Sequence, residues 1–158
     1  MADPDDILSR LAAIAARNDD RAGRAREAAE SIRLARNFHW VGLYDVTASE
    51  IRALAWTGVQ PPAFPIFPRT QGLNGAAVSA GCPVVINDVR NDRRYLTTFG
   101  TTLAEAIVPV RVGDAIVGTI DVESDQVDAF KADDEHFLQR CAEALASLWS
   151  LRAASSPR

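Results

Sequence analysis

E-A-I-V-P-V-R-V-G-D-A-I-V-G-T-I-D-V-E-S, residues Glu105 to Ser124, sets two apolar, β-branched runs on either side of a turn. Ile107, Val108, Val110 and Val112 make one strand arm, Gly113-Asp114 gives the backbone freedom of a short turn, and Ala115 to Val122 make the other arm. The pattern predicts a hairpin. Pro109 removes a ladder donor and Gly118 removes a side chain, so an irregularity or the close approach of another group is expected there. Asp121 and Glu123, two residues apart, share one face of a regular strand. Near-continuous hydrophobicity in both arms predicts strands in the middle of a sheet, with at least one face well covered.

Outward from the hairpin, the chain begins with helical signals. Asp3-Pro4-Asp5-Asp6 places a capping acid before a proline at the first helical position. Leu8, Leu11, Ala12 and Ala15 then recur at helical spacing, widened by Ile7 and Ile14. Asn18-Asp19-Asp20 breaks this helix and caps a second, from about Arg21 to Arg36, whose small face of Ala25, Ala28, Ala29, Ile32 and Ala35 suits close packing. Phe38 to Val46 and Ile51 to Trp56 read as a second hairpin around a polar turn. Pro61, Pro62, Pro65 and Pro68 cannot belong to a regular ladder, so Phe64 to Phe67 is expected as an edge strand or extended loop. Gly72 to Gly81 reads as a short helix ending at a glycine cap, Pro83 to Ile86 as a short strand, and Asn87 to Thr102 as a polar connection with one helical turn. Phe137, Leu138, Cys141, Leu145, Leu148 and Trp149 give a last helix from about Ala132 to Leu151. This order implies a mainly antiparallel α+β sheet with helices on one side. Residues 1–37 are expected as a helical segment of the same domain, 38–152 as its sheet-bearing part, and 153–158 as a disordered tail.

Composition narrows the function classes. The chain has 158 residues, 47% hydrophobic and 24% charged, as an ordinary single globular domain has. Its net charge of −4 gives no footprint for nucleic acid, and the arginines between Arg10 and Arg36 alternate with acids as on solvated helix faces. No apolar run reaches membrane-span length and no signal peptide opens the chain, so a cytoplasmic protein with reduced thiols is expected.

No phosphate-binding, dinucleotide, zinc-protease or nucleophile-elbow motif is present. The two histidines, His39 and His136, do not make a histidine-rich metal site, and no metal or cofactor is expected. Cys141 falls on an apolar helix stripe, and nothing near Cys82 in sequence would lower its pKa. Glu105, Asp121 and Glu123 are different. Carboxylates within apolar strands either face water or line a polar cavity, because burial without partners costs free energy.

Together, W-V-G-L-Y at Trp40 to Tyr44, Gly72-Leu73-Asn74-Gly75, Glu105 four residues before Pro109, I-V-G-T-I-D-V-E-S at Ile116 to Ser124, and F-x-x-x-D-E at Phe130 to Glu135 resemble a GAF domain. Within that superfamily they resemble the free methionine-(R)-sulfoxide reductases. The resemblance implies a GAF-like (PAS-like) antiparallel sheet of about six strands with terminal helices packed on one side. It also implies a small-molecule pocket in which Trp40, Tyr44, Glu105, Asp121 and Glu123 orient the ligand, with Glu123 one methylene longer than the family's aspartate. The family's cysteine positions read here Asn74, approximately Phe64, and Thr98, so Asn74 and Thr98 are expected beside the ligand and no catalytic residue is assigned. What this implies is a sensor that binds an amino acid or derivative without redox catalysis, paired as a homodimer through its terminal helices and signalling through an unnamed partner. The alternatives are an enzyme that uses a different thiol, or a dimerisation module with a vestigial pocket.

Overall fold

The computed structural model describes residues 3–97 and 99–153. Helix α1 spans Pro4–Ala16, and its Asp3 cap accepts from the Asp5 N–H at 3.1 Å. Helix α2 spans Arg21–Arg36, with Asp20 capping the Gly23 N–H at 2.9 Å. The turn between them is tied by Arg24, a buried guanidinium that donates to the carbonyls of Ala15 and Asp19 at 2.8 and 3.2 Å. Strands β1 (Trp40–Val46) and β2 (Glu50–Thr57) form the expected hairpin, followed by β3 (Ile66–Pro68), helix α3 (Gly72–Ala80) and β4 (Val84–Ile86). A single 3-10 turn at Val89–Asn91 interrupts the next connection. Strands β5 (Ala104–Val112) and β6 (Ala115–Ser124) are the hairpin at the centre of the sequence argument.

These strands make a six-stranded sheet in the order β3-β2-β1-β6-β5-β4, with every neighbouring pair antiparallel. The proline-flanked β3 lies at one edge, where its missing donors cost no ladder bond. A register irregularity falls between Val110 and Arg111, one residue beyond the proline that predicted it.

Alternation along the central strands divides the molecule in two. Val41 and Leu43 of β1, Ile120 and Val122 of β6, and Ala104, Ala106, Val108 and Val110 of β5 point to one side and build the main core with the terminal helices. Leu11, Ile32, Leu138, Leu145 and Leu148 from those helices are fully buried against it, each contributing about 1.5–3 kcal/mol. The expectation of helices on one side is met by α1, α2, α4 (Ala132–Leu145) and α5 (Ser147–Ala153).

One boundary differs from the sequence reading. The last helix is not continuous: it breaks at Ala146 into α4 and α5. No proline or glycine marks the break. Ala146 itself stays right-handed helical (φ −54, ψ −35) with its N–H on the Glu143 carbonyl in a tightened turn, beyond which the Leu148 carbonyl accepts from Arg21 Nε at 2.9 Å and the Trp149 indole lies over β6 at Gly118, where a Cβ would come within 2.4 Å of the ring. Arg21 also grips Asp45 of β1 at 2.7 Å, so one side chain fastens α2, β1 and α5 together. Apart from Ala153 at the end of α5, the expected tail lies outside the described residues.

Candidate functional site

The other face of the sheet carries the polar groups. Pairing of β1 with β6 sets Trp40 beside Glu123, Gly42 beside Asp121 and Tyr44 beside Thr119. Pairing of β5 with β6 sets Glu105 directly opposite Glu123 and Ile107 opposite Asp121. Register alone therefore brings Trp40, Tyr44, Glu105, Asp121 and Glu123 onto one face from three adjacent strands. Gly42 makes room for them: a Cβ there would lie 2.4 Å from the Trp40 ring and 2.9 Å from the Tyr44 ring.

Helix α3 covers this face and contributes Asn74. The Asn74 amide donates to Asp121 Oδ2 at 2.8 Å, and its oxygen accepts from the Thr119 hydroxyl at 2.6 Å. Thr102, just before β5, donates to Glu123 Oε2 at 2.9 Å. Around the polar groups stand aromatic rings. Trp40 meets Phe99 edge-on at 5.3 Å and Tyr44 meets Phe67 at 6.0 Å. The Trp40 indole N–H is spent on the Gln60 carbonyl of the proline-rich segment, so Trp40 offers the site only its ring.

Glu105, Asp121 and Glu123 are 4%, 2% and 0% exposed, and one oxygen from each lies within 4.8 Å of the others. A single small cation among them would touch all three. No basic side chain pairs with Glu105 or Asp121 among the described residues. Like charges facing one another in a buried setting shift the balance toward the protonated form. Burial pushes Asp121 up to about 6, opposed by its hydrogen bonds to Glu105 and Asn74. Burial also holds Glu105 well above the usual carboxylate range, reinforced by the charges of Asp121 and Glu123 and by its hydrogen bond to Asp121. The Tyr44 phenol is raised too, by burial first and then by the same acids. Both shifts favour the protonated forms of Glu105 and Asp121. Apart from the Glu105 carboxyl, no group of the described chain donates to the buried Asp121 Oδ1.

Of the residues expected in the pocket, the structure brings together Trp40, Tyr44, Asn74, Glu105, Asp121 and Glu123, while Thr98 lies outside the described residues. Sequence reasoning missed Thr119, Thr102, Phe99 and Gln60. Thr119 was within reach, since it is two residues before Asp121 on the same strand; the other three sit on irregular segments that carry no period. Cys82 is exposed at the end of α3, whereas Cys141 is buried in the helix-side core, where burial pushes its thiol up to about 12. His136 is exposed, and His39 lies 4.0 Å from Asp125 at a separate groove.

Known proteins agree with this architecture. The chain is 27% identical over 110 residues to GAF domain-containing protein A of Dictyostelium discoideum, a match covering 69% of this chain and 68% of that one. Among solved structures, a type II free methionine-R-sulfoxide reductase from Thermoplasma acidophilum is 28% identical with a TM-score of 0.77, covering 84% of this chain and 96% of its own. A free methionine-R-sulfoxide reductase from Neisseria meningitidis, determined in complex with its substrate, superposes with a TM-score of 0.86 over 99% of this chain and 96% of its own, at 22% identity. The sequence pattern of the GAF domain matches residues 20–148, which takes in α2, all six strands and α4, and the chain therefore belongs to the GAF domain family.

Proposed function

We propose that this GAF domain is a sensory module that binds a small polar molecule carrying an amino group, an amino acid or a derivative of one, and that it does so without redox catalysis. The observation that supports it best is the buried carboxyl face, in which one oxygen each of Glu105, Asp121 and Glu123 lies within 4.8 Å of the others. Buried charge of one sign calls for a cation of the other. The rings of Trp40 and Tyr44 beside the acids favour an organic cation, whose apolar part they would cover, over a bare metal ion. Asn74 holds Asp121 in place, and in the sequence Asn74 and Thr98 fall where the resembled reductases carry cysteine. The similarity to free methionine-R-sulfoxide reductases makes methionine sulfoxide and methionine the first compounds to try.

The experiment is a thermal-shift series with methionine sulfoxide, methionine, other amino acids and cyclic nucleotides. A native-state ligand at a hundredfold excess over its dissociation constant stabilises by about 2.7 kcal/mol. Glu105→Ala should abolish the shift while leaving a cooperative melt; an unchanged affinity removes Glu105 from the site. The rival reading, a reductase working through another thiol, is supported by the exposure of Cys82. Oxidation of a supplied dithiol that depends on methionine sulfoxide and disappears in Cys82→Ser would establish it.

The same proposal includes a cytoplasmic setting, an unidentified signalling partner and pairing of two copies through the terminal helices. The groove between α1 and α2 supports the pairing. It is about 620 Å³, lined by Ile7, Arg10, Arg26, Leu34 and Ala35 among others, and Leu34 stands 65% exposed on its rim. No helix is long and apolar enough to cross a membrane among the described residues.

A further inference from the structure

We propose that the arginine-lined cleft between α3 and residues 93–96 is an anion site that takes a small phosphate monoester. The cleft has a volume of about 660 Å³, within the range of small-molecule sites, and no residue of the carboxyl face lines it. It is a second site, independent of the reading of that face as an amine site.

Charge singles the cleft out. Arg69, Arg93 and Arg94 line it and no Asp or Glu does, in a chain whose net charge is −4. Most arginines of the described chain pair with a carboxylate, as Arg17, Arg33 and Arg52 do. Arg94 is one of them, gripping both oxygens of Asp92 at 3.0 and 2.7 Å. Arg69 and Arg93 have no carboxylate partner among the described residues. Arg69, half-buried, gives Nη1 to the Thr47 carbonyl at 2.8 Å, which fixes the guanidinium and leaves its charge uncompensated. Two positive charges without a counter-ion beside one concave surface raise the local concentration of anions there.

The walls suit a phosphate with a small organic part. Helix α3 turns Gly72, Gly75, Ala76 and Ser79 toward the cleft, at helical spacing, so no large side chain of that helix keeps a ligand off. Gln71 makes no capping bond with its side chain, and the N–H groups of Gly72, Leu73 and Asn74 have no acceptor among the described residues. These donors add to the field of the arginines. The turn that carries Arg69 is seated in advance: its N–H donates to the Ser49 carbonyl at 2.9 Å, and a Cβ at Gly75 would come within 2.7 Å of the Thr70 carbonyl carbon, so the turn packs directly on α3. From the other segment Tyr95 and Leu96, both half-buried, offer apolar surface to the organic part. A phosphate monoester carries a charge of about −1.5 to −2 at pH 7, a closer match to two uncompensated guanidinium groups than the single charge of a carboxylate.

The test is a nitrogen-15 NMR titration of the full chain with inorganic phosphate, phenyl phosphate and benzoate, at neutral pH and constant ionic strength. The expected result is saturable shifts centred on the amides of residues 72–74 and on the Arg93 Nε–H, with phenyl phosphate binding more tightly than inorganic phosphate and about tenfold more tightly than benzoate. Arg93→Gln changes an exposed side chain that has no partner among the described residues, so it should fold as the parent does and bind phenyl phosphate about tenfold more weakly, the loss expected of one charge-assisted contact. Arg69→Gln should weaken binding at least as much; because Arg69 also holds Thr47, its melting temperature is followed alongside. Shifts that do not saturate by about 10 mM phenyl phosphate overturn the site. So do shifts centred on Glu105, Asp121 and Glu123, or an Arg93→Gln affinity equal to that of the parent. Benzoate binding as tightly as phenyl phosphate overturns the assignment to phosphate. Each of these failures leaves the amine site standing, since the two share no lining residue.

Discussion

Asp121 shows how much one residue decides here. Its oxygens are buried at the point where β1, β5 and β6 run side by side, and its pKa sits at about 6 because burial outweighs the hydrogen bonds from Asn74 and Glu105. A carboxyl whose pKa is higher in the folded than in the unfolded chain stabilises the fold below the unfolded pKa, and that stabilisation is lost as pH rises through the folded value. For Asp121 the window runs from 3.8 to about 6, and the ligand-free protein should be less resistant to urea at pH 8 than at about pH 5. Asp121→Asn keeps an oxygen for the Asn74 amide and carries no charge. It should therefore gain stability over the parent at pH 8, on the order of 2–3 kcal/mol, gain little at pH 4, and show a flatter pH profile; denaturation curves at the two pH values check this. The identity of this residue as a site candidate was legible from the sequence, since a carboxylate two residues from another within an apolar strand has to be explained. Its partner Asn74 was placed only by resemblance, because the fold of α3 over the sheet joins residues far apart in sequence.

At the scale of elements, β6 serves two faces. Thr119, Asp121 and Glu123 look toward the site, while Gly118, Ile120 and Val122 look toward the helices. The glycine is where α5 comes closest, with the Trp149 indole filling the space a methyl group would take. Gly118→Ala should drive Trp149 from its seat and cost about 1–3 kcal/mol, seen as a lower urea midpoint with altered tryptophan fluorescence. An unchanged midpoint would mean that α5 is free to lift. The sequence announced that something would approach Gly118, because a missing side chain in an apolar strand invites a neighbour. It could not name Trp149, because the contact joins the last helix to a strand some thirty residues earlier in the chain, and the tightened turn at Ala146 carries no proline or glycine to announce it. The hairpins, the proline-marked edge and the terminal helices were legible for the opposite reason: each is written in a local period or a local breaker.

Taken whole, the molecule is a sheet with an apolar helical layer on one side and an aromatic and acidic face on the other. The helical layer has its own unfinished business on the outside, where the exposed Leu34 adjoins the groove between α1 and α2. Asp6 and Arg10, one turn apart on α1, make no side-chain hydrogen bond or ion pair with other described residues, so two copies in antiparallel contact could pair each with the other's counterpart. Sedimentation at micromolar concentration should give twice the 17.1 kDa mass of the chain, and Leu34→Asp, a change at an exposed site, should return it to a single chain without lowering its melting temperature. A single-chain mass for the parent would remove this face as a contact. On the other side of the sheet, the register that sets Glu105 against Glu123 has a practical corollary for anyone handling the protein. A mildly acidic buffer is the medium in which the free protein should keep best, since the buried Glu105 and Asp121 carry less charge there.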